Sequence, residues 1–145
     1  MAKFDFKKRV QCVAQHCVAS RLRKLNRVVT NLYNAELTAL GMTASQFNIL
    51  TALANLQPAS PAQIGGVLHL EKSSLSRNLK LMRRNGWIRS EGQARNLQVR
   101  ISAKGEGLYT LAFPCWERAQ NKSHELLGRE MTENLHAATE ALPTA

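Results

Sequence analysis

The sequence predicts a mainly α fold interrupted once by a small β-hairpin, and three observations predict it. Helix-start signals recur at Thr43, at Ser60-Pro61 and at Ser102. The apolar residues after them follow a helical period. Between Trp87 and Ile101 the pattern changes to alternation, the mark of half-buried strands. At 145 residues and 44% hydrophobic, the chain suits one compact domain with its own core, and it carries no internal repeat or low-complexity segment.

The elements follow in order. Residues 12–39 hold neither Pro nor Gly and read as one long helix, with Val13, Cys17, Leu25, Val28, Leu32, Ala35 and Ala39 recurring at helical spacing. Gly41 ends it as a left-handed cap residue. Thr43 caps a helix to about Leu56 whose apolar face is Phe47, Leu50, Leu53 and Ala54. Gln57-Pro58-Ala59-Ser60-Pro61 breaks the chain, and Pro61 suits the first position of a short helix carrying Ile64, Val67 and Leu68. After a turn at His69-Leu70, another helix begins near Glu71 and ends at Asn85-Gly86. Trp87-Ile88-Arg89 and Leu97–Ile101 read as two strands joined by the polar turn Gly92-Gln93-Ala94-Arg95-Asn96. Ser102 caps a long helix to about residue 128, with a bend expected at Pro114, and a last helix spans about 130–141.

Charge is distributed unevenly along this framework. The net charge is +10, yet residues 1–40 carry +6, residues 41–70 none, residues 71–104 +7 and residues 105–145 −3. A basic block beside a neutral one and an acidic tail is what a phosphate-facing surface produces.

Two short helices, a tight turn, then a basic amphipathic helix leading into a hairpin is the order of a winged helix-turn-helix, whose second helix enters the DNA major groove. With Leu75, Leu79 and Met82 placed inward at about 100° per residue, Ser73, Arg77, Lys80 and Arg84 point outward, with Ser74 and Ser76 on the shoulders. Hydroxyls reach base edges or phosphate oxygens, and Arg takes guanine by a bidentate contact. No acidic residue occurs from Lys72 to Ser90, whereas a merely solvated helix face intersperses both signs. Arg95, at the hairpin tip among small and polar residues, is placed to enter a minor groove or grip a phosphate.

These residues resemble the MarR (multiple antibiotic resistance regulator) family over 20–105. The resemblance rests on Leu40-Gly41-Met42-Thr43-Ala44-Ser45-Gln46-Phe47, Leu75-Ser76-Arg77-Asn78-Leu79, Arg84-Asn85-Gly86-Trp87-Ile88-Arg89 and Val99-Arg100-Ile101-Ser102-Ala103-Lys104-Gly105, in that order and spacing. It implies a winged helix-turn-helix lobe over 41–104 flanked by dimerisation helices, an N-terminal region over 1–40 and a C-terminal one over 105–145. It further implies a homodimeric transcriptional regulator, a repressor released by a small molecule or an oxidant. The expected partner is a pseudo-palindromic double-stranded operator with half-sites one DNA turn apart. The expected effector is a small aromatic or phenolic compound. The family's wing usually carries Asp-x-Arg, and here Gln93-Ala94-Arg95 stands in its place, so the charged brace on the arginine is missing.

Other chemistry is sparse. Cys12 and His16, four residues apart, share a helix face, where an imidazolium lowers a thiol pKa and makes a peroxide-sensitive thiolate. A Cys12→Ser variant with an unchanged peroxide response would dispose of that sensor. Cys17 and Cys115 read as buried small hydrophobes. The spacing offers no zinc signature, no cofactor motif and no catalytic constellation, so neither a metal nor enzymatic activity is expected. No apolar run spans a membrane and the polar N-terminus lacks a secretion signal, so a cytoplasmic protein is expected. The competing class is a sequence-neutral architectural DNA binder, which the net charge also supports.

Overall fold

The computed structural model describes residues 2–143 of the chain, with side chains from residue 5. Two compact units divide it, Met1–Asn31 and Leu32–Ala145.

The first unit holds helix α1 (Ala2–His16) and most of helix α2 (Val18–Leu37), which runs across the division. The single helix expected over 12–39 is therefore two, parted at Cys17 and followed by a 3₁₀ turn, Thr38–Leu40. Hydrogen bonds explain why a break without Pro or Gly is tolerated. Cys17 N still donates to Val13 O at 3.0 Å, Ser20 Oγ donates to Cys17 O at 3.0 Å, and the Arg21 guanidinium donates to Gln15 O. Carbonyls released by the break are thus taken up by side chains. Phe6, Val10, Val13, Val18, Leu22 and Val28 stand exposed in this unit.

In the second unit each helix start is built by its own sequence. Gly41 closes the 3₁₀ turn in the left-handed region. Thr43 and Gln46 form a capping box for α3 (Ala44–Leu56): Thr43 Oγ1 accepts from Gln46 N and Gln46 Oε1 from Thr43 N. Ser60 and Gln63 repeat the device for α4 (Pro61–Leu68), with Pro61 at its first position. Each such cap contributes about 1 kcal/mol. α3 buries Phe47, Ile49, Leu50, Ala52 and Leu53, while Ala54 faces solvent, a correction to the expected apolar face. Ile49 and Ala52 join the buried core in place of Ala54. Ile64 of α4 and Leu75, Leu79 and Met82 of α5 (Lys72–Arg84) complete this centre.

Strands β1 (Ile88–Glu91) and β2 (Gln98–Ile101) pair antiparallel, with Ile88 opposite Ile101, Arg89 opposite Arg100, Ser90 opposite Val99 and Glu91 opposite Gln98. Ala59 bridges to Val99 on the other side of β2, exchanging backbone hydrogen bonds of 3.1 and 2.8 Å. Ile88 and Val99 are buried, so one face of the hairpin seals the core.

Helix α6 (Ala103–Glu140) is capped by Ser102, whose Oγ accepts from Gly105 N at 3.0 Å. Its interruption lies at Gly128 (φ 75°, ψ 166°), whereas Pro114 sits within helical backbone. The expected bend at Pro114 is thereby corrected. Proline removes one donor from an exposed turn, but only glycine adopts the backbone angles found at 128.

α6 is tied to the end of α2 by polar contacts. Arg118 Nε donates to Glu36 at 2.7 Å, Lys122 pairs with the same carboxylate, and the Tyr33 hydroxyl donates to Gln120. The Lys122 and Arg118 cations hold the Glu36 carboxyl below the ordinary glutamate range. Tyr109 stacks on Phe47 with ring centroids 4.7 Å apart, and its hydroxyl meets that of Thr51 at 3.1 Å.

Candidate nucleic-acid interface

α5 is positioned from beneath. Leu75, Leu79 and Met82 are at most 4% exposed, which fixes the rotation of the helix about its axis. The opposite face is then set by geometry: Ser73, Ser76, Arg77, Lys80 and Arg84 are exposed and Ser74 is half-buried. Arg77 Nη2 lies 3.4 Å from Ser74 Oγ, and Asn78 Nδ2 donates to Ser74 O at 3.1 Å. Small hydroxyls occupy the first turn and long cations the turns below.

Arg83 belongs to this surface and was absent from the sequence reading. Its Nε donates to Ser90 Oγ on β1 at 2.9 Å, joining the helix to the wing. The seven-residue separation crosses a change of secondary structure, so no periodicity announces the pair.

The wing tip is a 3₁₀ turn, Ala94–Asn96, entered with Ala94 at a positive φ of 48°. Arg95 is exposed on it. Among the described residues none makes a hydrogen bond or ion pair with Arg95, Gln93 included. The four ion pairs found among the described residues lie in α1, α2 and α6, none in 41–104. The cations of α5 and the wing are therefore not neutralised within the lobe.

A cavity of about 870 Å³ opens between α4, α5 and the wing. Pro61, Gly65, Leu70, Leu75, Leu79 and Leu97 give it apolar walls, and Lys72, Ser76, Lys80 and Arg83 give it a polar rim. Three of those four rim residues lie on the exposed surface of α5 described above, Ser76, Lys80 and Arg83.

With helix, turn, helix and wing in place, the match to known proteins becomes decisive. Residues 40–96 match the family model described as MarR family. Over these residues the chain is similar to the MarR family.

The chain is also similar to an uncharacterized HTH-type transcriptional regulator, YwoH, of Bacillus subtilis (strain 168), at 25% identity over 79 residues. That match takes in 54% of this chain and 58% of the relative's length. Among solved structures, M. tuberculosis transcriptional regulator MosR in complex with DNA is 26% identical with a TM-score of 0.70, over 87% of this chain and 98% of that one. A cysteine-to-serine mutant of E. coli MarR complexed with operator DNA superposes with a TM-score of 0.77 at 18% identity, over 91% of this chain and 98% of the other. The latter is a likeness of fold. That likeness of fold extends well beyond the matched 40–96 segment; among the described residues the chain is mainly helical with one two-stranded wing.

The candidate redox residues fall elsewhere. In the N-terminal unit, His16 Nδ1 is 3.0 Å from the Cys12 carbonyl oxygen, so the ring is engaged by backbone. Cys17 is not the buried hydrophobe expected. It is half-exposed at the helix break, and hydrogen bonds from the Ser20 backbone and hydroxyl hold its thiol below the usual range. Cys115 is buried, with Arg118 Nη2 at 3.2 Å from its sulfur. Among the described residues no three His, Cys, Asp or Glu side chains gather as a metal site, and no helix is long and apolar enough to cross a membrane.

Proposed function

We propose that the chain is a sequence-specific DNA-binding transcriptional regulator that acts as a homodimer on a pseudo-palindromic operator. The observation that carries this reading is the outward face of α5. Ser73, Ser76, Arg77, Lys80 and Arg84 lie uncovered on one helix, held in register by a buried leucine face, with Arg95 on the wing beside it. Arg77 is the base reader in this reading, Ser73, Ser74 and Ser76 contact base edges or phosphates, and Lys80, Arg84 and Arg95 grip the backbone.

Two features support the dimer. Phe6, Val10 and Val13 in the N-terminal unit and Leu111, Phe113, Leu126 and Met131 on α6 are large apolar side chains left exposed in the single chain. The charges are complementary as well, +6 over residues 1–40 against −3 over 105–145.

The test is a salt-series titration on a site selected from random DNA against a scrambled duplex. A specific regulator prefers the site by about 10³-fold or more. Equal, steeply salt-dependent binding to both would instead establish the architectural reading.

The cavity favours a release mechanism. An aromatic or phenolic acid bound there would sit on the apolar walls and draw Lys80 and Arg83 onto its carboxylate, removing Lys80 from DNA and Arg83 from Ser90. Leu97→Phe fills the cavity from the wing side without altering an α5 cation. It should abolish release by such acids while leaving duplex affinity unchanged; release that persists in this variant would remove the cavity from the mechanism.

A further inference from the structure

The DNA reading employs Arg77, Lys80, Arg84 and Arg95, and Arg83 is held by Ser90. Four cations of the basic block are left over, Lys72, Arg89, Arg100 and Lys104, and the register places two of them, Arg89 and Arg100, directly opposite each other on the hairpin. Directly opposed residues of an antiparallel pair have Cβ atoms about 5 Å apart, and like charges at that separation are destabilising. Both arginines are exposed, and among the described residues neither side chain has a hydrogen-bond or ion-pair partner. Glu91, two rungs nearer the tip, shares the face and forms an ion pair with neither.

The orientation of this rung follows from the strand alternation. Ile88, Ser90, Val99 and Ile101 form the inner face: Ile88 and Val99 are buried in the core and Ser90 is bonded to Arg83 of α5. Arg89 and Arg100 therefore look the other way, away from the recognition helix. With α5 in a major groove and Arg95 at the duplex, as proposed above, that outer face is the side of the wing left to meet DNA beyond the segment α5 reads.

We infer that Arg89 and Arg100 form a phosphate clamp on the outer face of the wing, which extends the protein's footprint to flanking DNA. The inference rests on the DNA-binding reading above. Two guanidiniums side by side match the spacing of a phosphate's oxygens, and an anion between them relieves the repulsion the free protein carries. The contact is sequence-neutral, so it adds affinity and salt dependence without adding base preference.

The experiment uses the full chain and a site selected from random DNA, in two forms. One is the shortest duplex that keeps the sequence preference; the other is extended by about 10 base pairs, one helical turn, on each side. The wild-type chain should bind the extended duplex more tightly and with a steeper salt slope. In R89Q/R100Q that advantage should vanish, with a slope on the extended duplex lower by about one per protomer, since the pair neutralises one phosphate, while binding to the short duplex is unchanged. The thermal midpoint of the free variant should hold or rise, since a like-charge rung has been removed, which separates this loss from misfolding. A variant that keeps the extension advantage overturns the clamp, as does equal loss on both duplexes, which would place the arginines on the core site. Failure of the wild-type chain to prefer its selected site over scrambled DNA would instead overturn the DNA reading itself.

Discussion

The Ser102 hydroxyl donates to the Gly86 carbonyl at 2.6 Å while its oxygen accepts from Gly105 N at 3.0 Å. One buried side chain thus caps α6 and fastens the turn that ends α5. Around it, Trp87 N donates to Met82 O and Ser102 N to Trp87 O, each within 3.0 Å. Recognition helix, wing and C-terminal helix meet at this joint. Ser102→Ala should cost about 1–2 kcal/mol, the sum of a lost cap and a lost hydrogen bond. Ser102→Thr should restore most of it. Gly105→Ala should cost more, since a Cβ there would lie 2.1 Å from Trp87 O. Denaturant midpoints at constant m-value would check all three.

Arg77→Ala should reduce affinity for the selected site by about 1–3 kcal/mol and relax the preference at one base pair. Arg95→Ala should weaken binding with less change in preference, as a backbone contact does. Competition titrations against single-base-pair variants of the site separate the two. Equal loss on selected and random DNA for Arg77→Ala would remove it as a base reader.

Glu36 links α2 to α6 through Lys122 and Arg118, and these cations depress its carboxyl pKa in the folded state. A depressed acid contributes stability that is present above its unfolded pKa and is lost as pH falls through its folded value. The thermal midpoint should therefore fall as pH drops below the ordinary glutamate range. Glu36→Gln should lower the midpoint at pH 7 and flatten this acid limb. A Glu36→Gln profile parallel to wild type would show that the bridge carries no linkage.

The two α6 glycines away from its N-terminus should respond with opposite sign to the same substitution. Gly128 has a φ of 75° and a ψ of 166°, with nothing within 4 Å of a Cβ, so Gly128→Ala meets no clash and suffers only backbone strain. A loss of about 1–3 kcal/mol is expected. Gly107 has ordinary helical backbone and equally open space. Gly107→Ala should gain about 0.5–1 kcal/mol. A gain at both positions in thermal unfolding would mean that α6 is straight in solution.

What the sequence disclosed was what short-range chemistry controls. Thr43, Ser60 and Ser102 announce their helices because a cap is a contact across three residues. The outward face of α5 follows from period alone once Leu75, Leu79 and Met82 are placed inside. The break at Cys17 was hidden because neighbouring side chains, Ser20 and Arg21, supply what a Pro or Gly would otherwise mark. Ala54 was misassigned because tertiary packing chose between two apolar faces of α3. The cavity and the Arg83–Ser90 bond were out of reach, since Leu97 comes to line a cavity with α4 and α5, and Arg83 meets β1, only after the chain has folded back.

That Arg83–Ser90 bond has a kinetic consequence. Because it fastens wing to helix before any duplex arrives, docking of α5 would deliver Arg95 to its groove as an intramolecular event at high effective concentration. Cutting the tether with Ser90→Ala would leave first encounters as frequent as before and loosen the hold of α5 on β1, with Ile88 and Val99 still in the core. The signature is a shortened residence time at an unchanged association rate.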